Sequence, residues 1–219
     1  MATQTLSHPV ARHAGPGILL LPLLAIWLSA IIVLAASGKF VTAAGLPPVA
    51  LLTVVLLPIV LAVVAYAISP SVREFVHASD PALLTTLQSW RILGGTFLVL
   101  MSFGMLPAEF ALPAGIGDMA IGFTAPFIAR LAINHKRGAR LFVIWQLLGI
   151  LDLVVAVGTG ASLRLVSTQA DFTNAEQMIR MSELPLVLVP AFAVPIFVIL
   201  HLMTLAQVRG QRERGDRDV

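Results

Sequence analysis

Cysteine is absent from the 219 residues. That excludes disulfides, thiolate metal sites and cysteine nucleophiles. Charge is nearly as scarce: 11% of the residues are Asp, Glu, Lys or Arg, against about 25% in a soluble domain. The chain also lacks an H-E-x-x-H pair, a P-loop and a G-x-S-x-G elbow, so no familiar hydrolase motif marks a reaction centre.

Apolar sequence fills the space that charge leaves. Hydrophobic residues make up 58% of the chain and the mean hydropathy is +0.94. Such a surface faces lipid more readily than water. At about 20 residues per membrane span, the length is consumed by spans, with no soluble domain left over. The calculated pI near 10.2 resembles a nucleic-acid signal, but the net charge is only +3 and the arginines flank apolar stretches. Orientation in a bilayer accounts for them, and no nucleic-acid partner is expected.

The predicted fold is all-α, a polytopic transmembrane helix bundle of six spans with short amphipathic interfacial helices. A polar cytoplasmic N-terminus (1–16) with His8, Arg12 and His13 precedes the transmembrane domain (17–208), and a charged, disordered cytoplasmic tail (209–219) follows it. The first apolar run, from Gly17 to about Ala36, exceeds the 7–15 residues of a signal-peptide core and reads as a retained helix. Span two covers Pro48 to Ile68. Ser71–Ser79 is amphipathic, with Val72, Phe75 and Val76 opposing Arg73, Glu74 and His77. Asp80-Pro81 then reads as an N-cap with proline in the first turn, opening a third helix that ends near Leu106.

Residues 107–117 hold Pro107, Pro113, Gly115 and Gly117, which predicts a non-helical connection, with Asp118 capping the fourth span. A basic loop of His135, Lys136, Arg137 and Arg140 leads to span five, Leu141 to Gly158. Within the polar segment 161–183, Thr173 and Glu176 have capping-box spacing and predict a short surface helix. Span six covers Pro185 to Ala206. With both ends inside, eleven Lys or Arg residues fall on cytoplasmic segments (Arg12, Arg73, Arg91 and Arg130 among them) against Lys39, Arg164 and Arg180 outside. The expected location is therefore a bacterial-type cytoplasmic (inner) membrane.

Asp152 is the most informative residue, because an aspartate about twelve residues into a span costs about 2.5–3.5 kcal/mol unless paired or protonated. Glu109 and Asp118, at the outer ends of spans three and four, are expected to join it in an outward-facing, carboxylate-lined pocket. Gln146 lies in the same span as Asp152 and is a further candidate for substrate or ion binding. Trp90 and Arg91 fit an interfacial anchor, the arginine reaching a lipid phosphate. His201, near the inner end of span six, reads as an interfacial hydrogen-bonding histidine. A haem would need His201 and has no second intramembrane histidine; His77, Met101 and Met105 are weak candidate ligands. No metal and no other cofactor is expected.

Three functions fit these residues. The first is a small transporter, or the membrane subunit of one, for a small-molecule or cationic substrate. The second is a membrane-embedded enzyme acting on a lipid or isoprenoid, with Asp118, Glu109 or Asp152 as acid or base. The third is a non-catalytic accessory subunit whose polar groups serve helix packing. An oligomer or partner subunit is compatible with all three, and the lipid bilayer is a partner in each.

Overall fold

The computed structural model describes residues 20–133, 139–165 and 169–215. The polar stretch 1–16, His135, Lys136, Arg137 and Arg217 lie outside the described residues. The fold is all-helical, with no strand among the described residues. Its elements are α1 (Leu20–Ala36), α2 (Val49–Ile68), α3 (Pro70–Ala78), α4 (Pro81–Thr86), α5 (Thr96–Ser102), α6 (Ala108–Ile133), α7 (Ala139–Ser162), α8 (Gln169–Ile179) and α9 (Val194–Gly215). A 3-10 stretch, Leu87–Gly95, joins α4 to α5, and a π-helical turn, Val189–Ala193, leads into α9.

Among the described residues, five helical segments are long and apolar enough to cross a membrane: Val49–Ile68, Pro81–Ser102, Ala108–Leu131, Arg140–Ser162 and Val189–Gly210. The chain is thus compatible with a multi-pass membrane protein. In the region of the expected first span, the described residues hold α1, an apolar helix of 17 residues. Outward faces carry large apolar side chains, such as Leu56, Leu57, Val60 and Leu61 on α2.

Capping chemistry places the short helices. Ser69 accepts from the Val72 N–H and opens α3. Its predicted apolar residues Val72, Phe75 and Val76 turn inward, while Arg73, Glu74 and His77 stay exposed. Asp80 accepts from the Ala82 N–H at 2.9 Å with Pro81 in the first turn, so the third apolar helix starts where the sequence predicts.

Three local expectations are corrected. Residues 108–117 are not a loop but the first turns of α6, so Asp118 is not a cap; it sits in the middle of that helix. Pro107 precedes the helix and Pro113 lies in its second turn, near the end where few backbone bonds are lost. The residues that looked like breakers make a packing stripe: Ala111, Ala114, Gly115, Asp118, Gly122 and Ala125 recur at helical spacing and are buried. Thr173 does not cap α8, which already runs from Gln169. The tail does not leave the helix at Arg209; α9 continues to Gly215, because Gln, Arg and Glu are good helix formers and elongation is easy once a helix exists.

Prolines account for the irregular sixth apolar segment. Pro190 and Pro195 cannot donate backbone bonds, and the π-helical turn lies over the interval between them. The segment packs along α7 and α2, and α6 packs on α7 and on the 3-10 stretch.

Candidate functional site

The 3-10 stretch decides which residues meet. At three residues per turn, side chains three apart eclipse one another. Thr85, just before the stretch, and Gln88 and Arg91 within it are all fully buried on the inward face, in line with Gly94. An unbroken α-helix would turn this line away by about 60° at each step of three.

Arg91 is the hub. Its Nε donates to Asp118 Oδ1 at 2.7 Å, its Nη2 donates to Asp152 Oδ2, and its Nη1 donates to the Gly149 carbonyl at 3.1 Å and to His201 Nε2 at 3.3 Å. One guanidinium thus joins α6, α7 and α9 to the 3-10 stretch. The expected interfacial role for Arg91 is corrected: its side chain has no exposed surface and no access to a lipid phosphate. A buried guanidinium in an apolar bundle needs anionic partners, and two neighbouring helices supply them. Trp90 points the other way and is 66% exposed.

His201 is corrected in the same sense. It is completely buried in the middle of the last apolar segment, against the Trp145 ring at 5.6 Å. Both ring nitrogens have partners, and those partners fix the tautomer. Nε2 faces an arginine donor and must accept, so Nδ1 carries the proton and donates it to Gln146 Oε1. Gln146 Nε2 then donates to Thr85 Oγ1 at 3.2 Å, and Thr85 donates to the Pro81 carbonyl at 2.7 Å. The chain of donors runs in one direction from Arg91 to Pro81. Neither imidazole nitrogen is left over for iron. Among the described residues, no group of three His, Asp or Glu side chains is placed to hold a metal ion.

The sequence-derived candidates therefore divide. Asp118, Asp152 and Gln146 come together through Arg91 and His201. Glu109 does not join them: it is exposed in the first turn of α6, nine residues before Asp118, which is about 13 Å along the axis. Arg91, Asp118, Asp152 and His201 each lie within about two residues of the midpoint of their candidate spans. The cluster occupies the middle of the bundle, deeper than an outward-facing mouth would require.

Formal charge at the centre does not cancel. Arg91 contributes one positive charge and the two carboxylates two negative, leaving −1 with His201 neutral. The carboxylate side chains keep 12% and 16% of their surface, whereas Arg91 keeps none. What the centre shows to an incoming group is therefore acidic.

Two cavities reach Asp118. One, of about 540 Å3, is a groove between residues 87–97 and 185–200. The other, of about 60 Å3, runs past Leu153 and Gly160 to Arg164. Arg164 is buried beyond the end of α7, donating to Ser182 Oγ and to the Thr42 carbonyl, each at 2.7 Å. Desolvation lowers its pKa from the usual arginine value, which still leaves it a cation.

Three glycines wall the centre. A β-carbon at Gly94 would meet Asp118, one at Gly117 would meet Asp152, and one at Gly149 would meet the His201 ring. Sequence reasoning missed this framework and the role of Arg91. The available signals were the three-residue spacing of Thr85, Gln88 and Arg91, and the small-residue periodicity through 108–125.

A family model described as Domain of unknown function (DUF8737) matches residues 48–209, and the chain belongs to that family. The match runs from the residue before α2 into the last turns of α9 and includes every residue of the buried centre. No curated protein and no solved structure matches the chain.

Proposed function

We propose that this member of the DUF8737 family is a six-span transporter, or the membrane subunit of one, that holds a proton or a cationic substrate at the Arg91–Asp118–Asp152 centre. The observation that carries the reading is the net negative formal charge at mid-bundle, with the Asp118 carboxylate facing two cavities, Asp152 keeping some accessible surface and the guanidinium sealed. In a low-dielectric interior, one excess charge is strongly unfavourable until a counter-charge arrives. A proton on either carboxylate neutralises it, and so does a bound cation. Competition between the two for one site is a basis for coupled exchange.

Six spans require α1 to cross. Its 17 residues cover about 25 Å, and the apolar Gly17-Ile18-Leu19 before it would extend the run towards a core of about 30 Å. With Arg91 removed from the cytoplasmic count, ten basic residues remain inside against three outside, which still favours both termini in the cytoplasm of a bacterial-type inner membrane.

A second reading, a membrane enzyme acting on a lipid or isoprenoid, is favoured by the apolar groove that ends at Asp118. The experiment that separates them uses purified protein in liposomes with an entrapped pH indicator. Flux above that of empty vesicles, lost in Asp118→Asn and Asp152→Asn, supports transport. An altered lipid extract without flux supports the enzyme. Folded wild-type protein that moves no proton or cation and changes no lipid overturns both.

A further inference from the structure

The groove beside Asp118 has the size of a ligand site and an unusual wall. Its volume of about 540 Å3 lies within the range of about 300–1,000 Å3 for small-molecule pockets. Trp90, Leu93, Phe97, Phe192, Ile196 and Phe197 line it, and Arg91 and Asp118 are its only charged lining residues. Trp90 and Leu93 are 66% and 63% exposed, so the groove opens on the apolar outer surface of the bundle.

Charge selects the occupant. The Arg91 side chain is sealed and its guanidinium is engaged by both carboxylates, whereas Asp118 keeps accessible surface. An anionic head would approach the Asp118 carboxylate and find no free cation in the lining. A cationic head would meet a carboxylate that Arg91 engages through Oδ1, in a centre whose formal charge is still −1. Four of the chain's fifteen aromatic residues, Trp90, Phe97, Phe192 and Phe197, stand around this approach, and aromatic faces attract ammonium groups. The remaining wall is hydrocarbon and fits a tail.

We propose that this groove binds an amphiphilic organic cation, a protonated amine on a hydrocarbon tail, that enters sideways from the lipid and places its head at Asp118. The inference rests on reading the buried centre as a cation site and names the substrate class for it. The tail lies against Leu93, Phe192 and Ile196, and Trp90 stands at the mouth.

The test uses wild-type protein in nanodiscs of zwitterionic lipid, with a long-chain amine brominated at the tail end as a quencher of tryptophan fluorescence. The brominated alcohol and carboxylate of equal length are the comparison probes. Saturable quenching by the amine, at least about tenfold tighter than by the alcohol and weaker still for the carboxylate, is the expected result, since one charge-assisted hydrogen bond is worth that much. Trp90→Phe should remove most of the amine's quenching, and Asp118→Asn should bring its affinity down to the alcohol's. Ile196→Trp narrows the groove without touching the polar cluster and should weaken all saturable binding, which keeps the test decisive if Asp118→Asn fails to fold. Equal, non-saturable quenching by all three probes means ordinary lipid fills the groove and overturns the proposal. If that occurs while proton flux still depends on Asp118, the centre stands without the groove. Asp118-dependent amine binding without any flux leaves the site and removes transport.

Discussion

A methyl group on Gly117 of α6 would overlap the carboxylate of Asp152 on α7. The absence of a β-carbon there lets the carboxylate stand against the α6 backbone and reach Arg91. Gly117→Ala should therefore push Asp152 off its partner. The expected loss is about 1–3 kcal/mol, as for other overpacked interiors, seen as a lower Tm in detergent. Gly158→Ala, on the same helix as Asp152 with nothing within 4 Å of the added carbon, should lose nothing and gain up to about 1 kcal/mol. Equal behaviour of the two variants would show that the close approach has no energetic weight.

Removing Arg91 should be the most damaging single change in the bundle. Arg91→Leu leaves two carboxylates facing each other in an apolar interior, and breaking a buried pair costs about 3–5 kcal/mol. Adding Asp118→Asn and Asp152→Asn removes the stranded charges. The triple variant should recover much of the lost Tm while remaining inactive in flux. A triple variant no more stable than Arg91→Leu would mean that Arg91 acts by filling space.

The residue types and periods that sequence analysis weighs foretold the helical class, the Ser71–Ser79 amphipathic face and the Asp80 cap. They also singled out Asp152, because an acid in an apolar run is conspicuous wherever it points. Residues 107–117 misled because proline and glycine signal loops in water. Within an apolar bundle the same small residues permit close helix packing, and Gly115 and Gly117 do this. Arg91 was hidden for another reason. It follows a polar, amphipathic stretch that looks interfacial, and only the shift to three residues per turn brings Arg91 into line with Thr85 and Gln88.

The directed donor chain predicts coupling between its members. Gln146→Leu strands the His201 Nδ1–H and should cost about 1–3 kcal/mol, the range for an unsatisfied buried polar group. Thr85→Val removes the acceptor for Gln146 Nε2 while nearly conserving volume. The two changes break one link from opposite sides, so the double variant should be less destabilised than the sum of the singles. Strict additivity of the Tm losses would show that the link carries no energy.

Sidedness can be predicted from two tethers at opposite ends of the bundle. At one end, Arg164 donates to the Thr42 carbonyl while the Gly45 N–H donates to the Arg164 carbonyl at 2.8 Å. Gln177 donates to the Gly104 carbonyl at 2.9 Å. These bonds tie the α1–α2 connection to the turn after α7, and α8 to the turn after α5. At the other end, Gln207 of α9 donates to the carbonyls of Val76 and Ser79 at 2.6 and 2.7 Å, holding α3 beside the last helix. Reporters inserted near Gly45, Gly104 and Glu176 should therefore share one side, and reporters near His77 and after Val219 the other. The basic residues assign the sides, because Arg73 and Arg209 lie at the Gln207 end, which should be cytoplasmic. An N-terminal reporter then decides whether α1 crosses: a cytoplasmic signal gives six spans. A signal on the Gly45 side gives five, with α1 lying against the π-helical turn through Trp27 and Phe192, whose rings are 4.9 Å apart, without spanning. Reporters at Gly45 and His77 on the same side would break the alternation on which the whole arrangement depends.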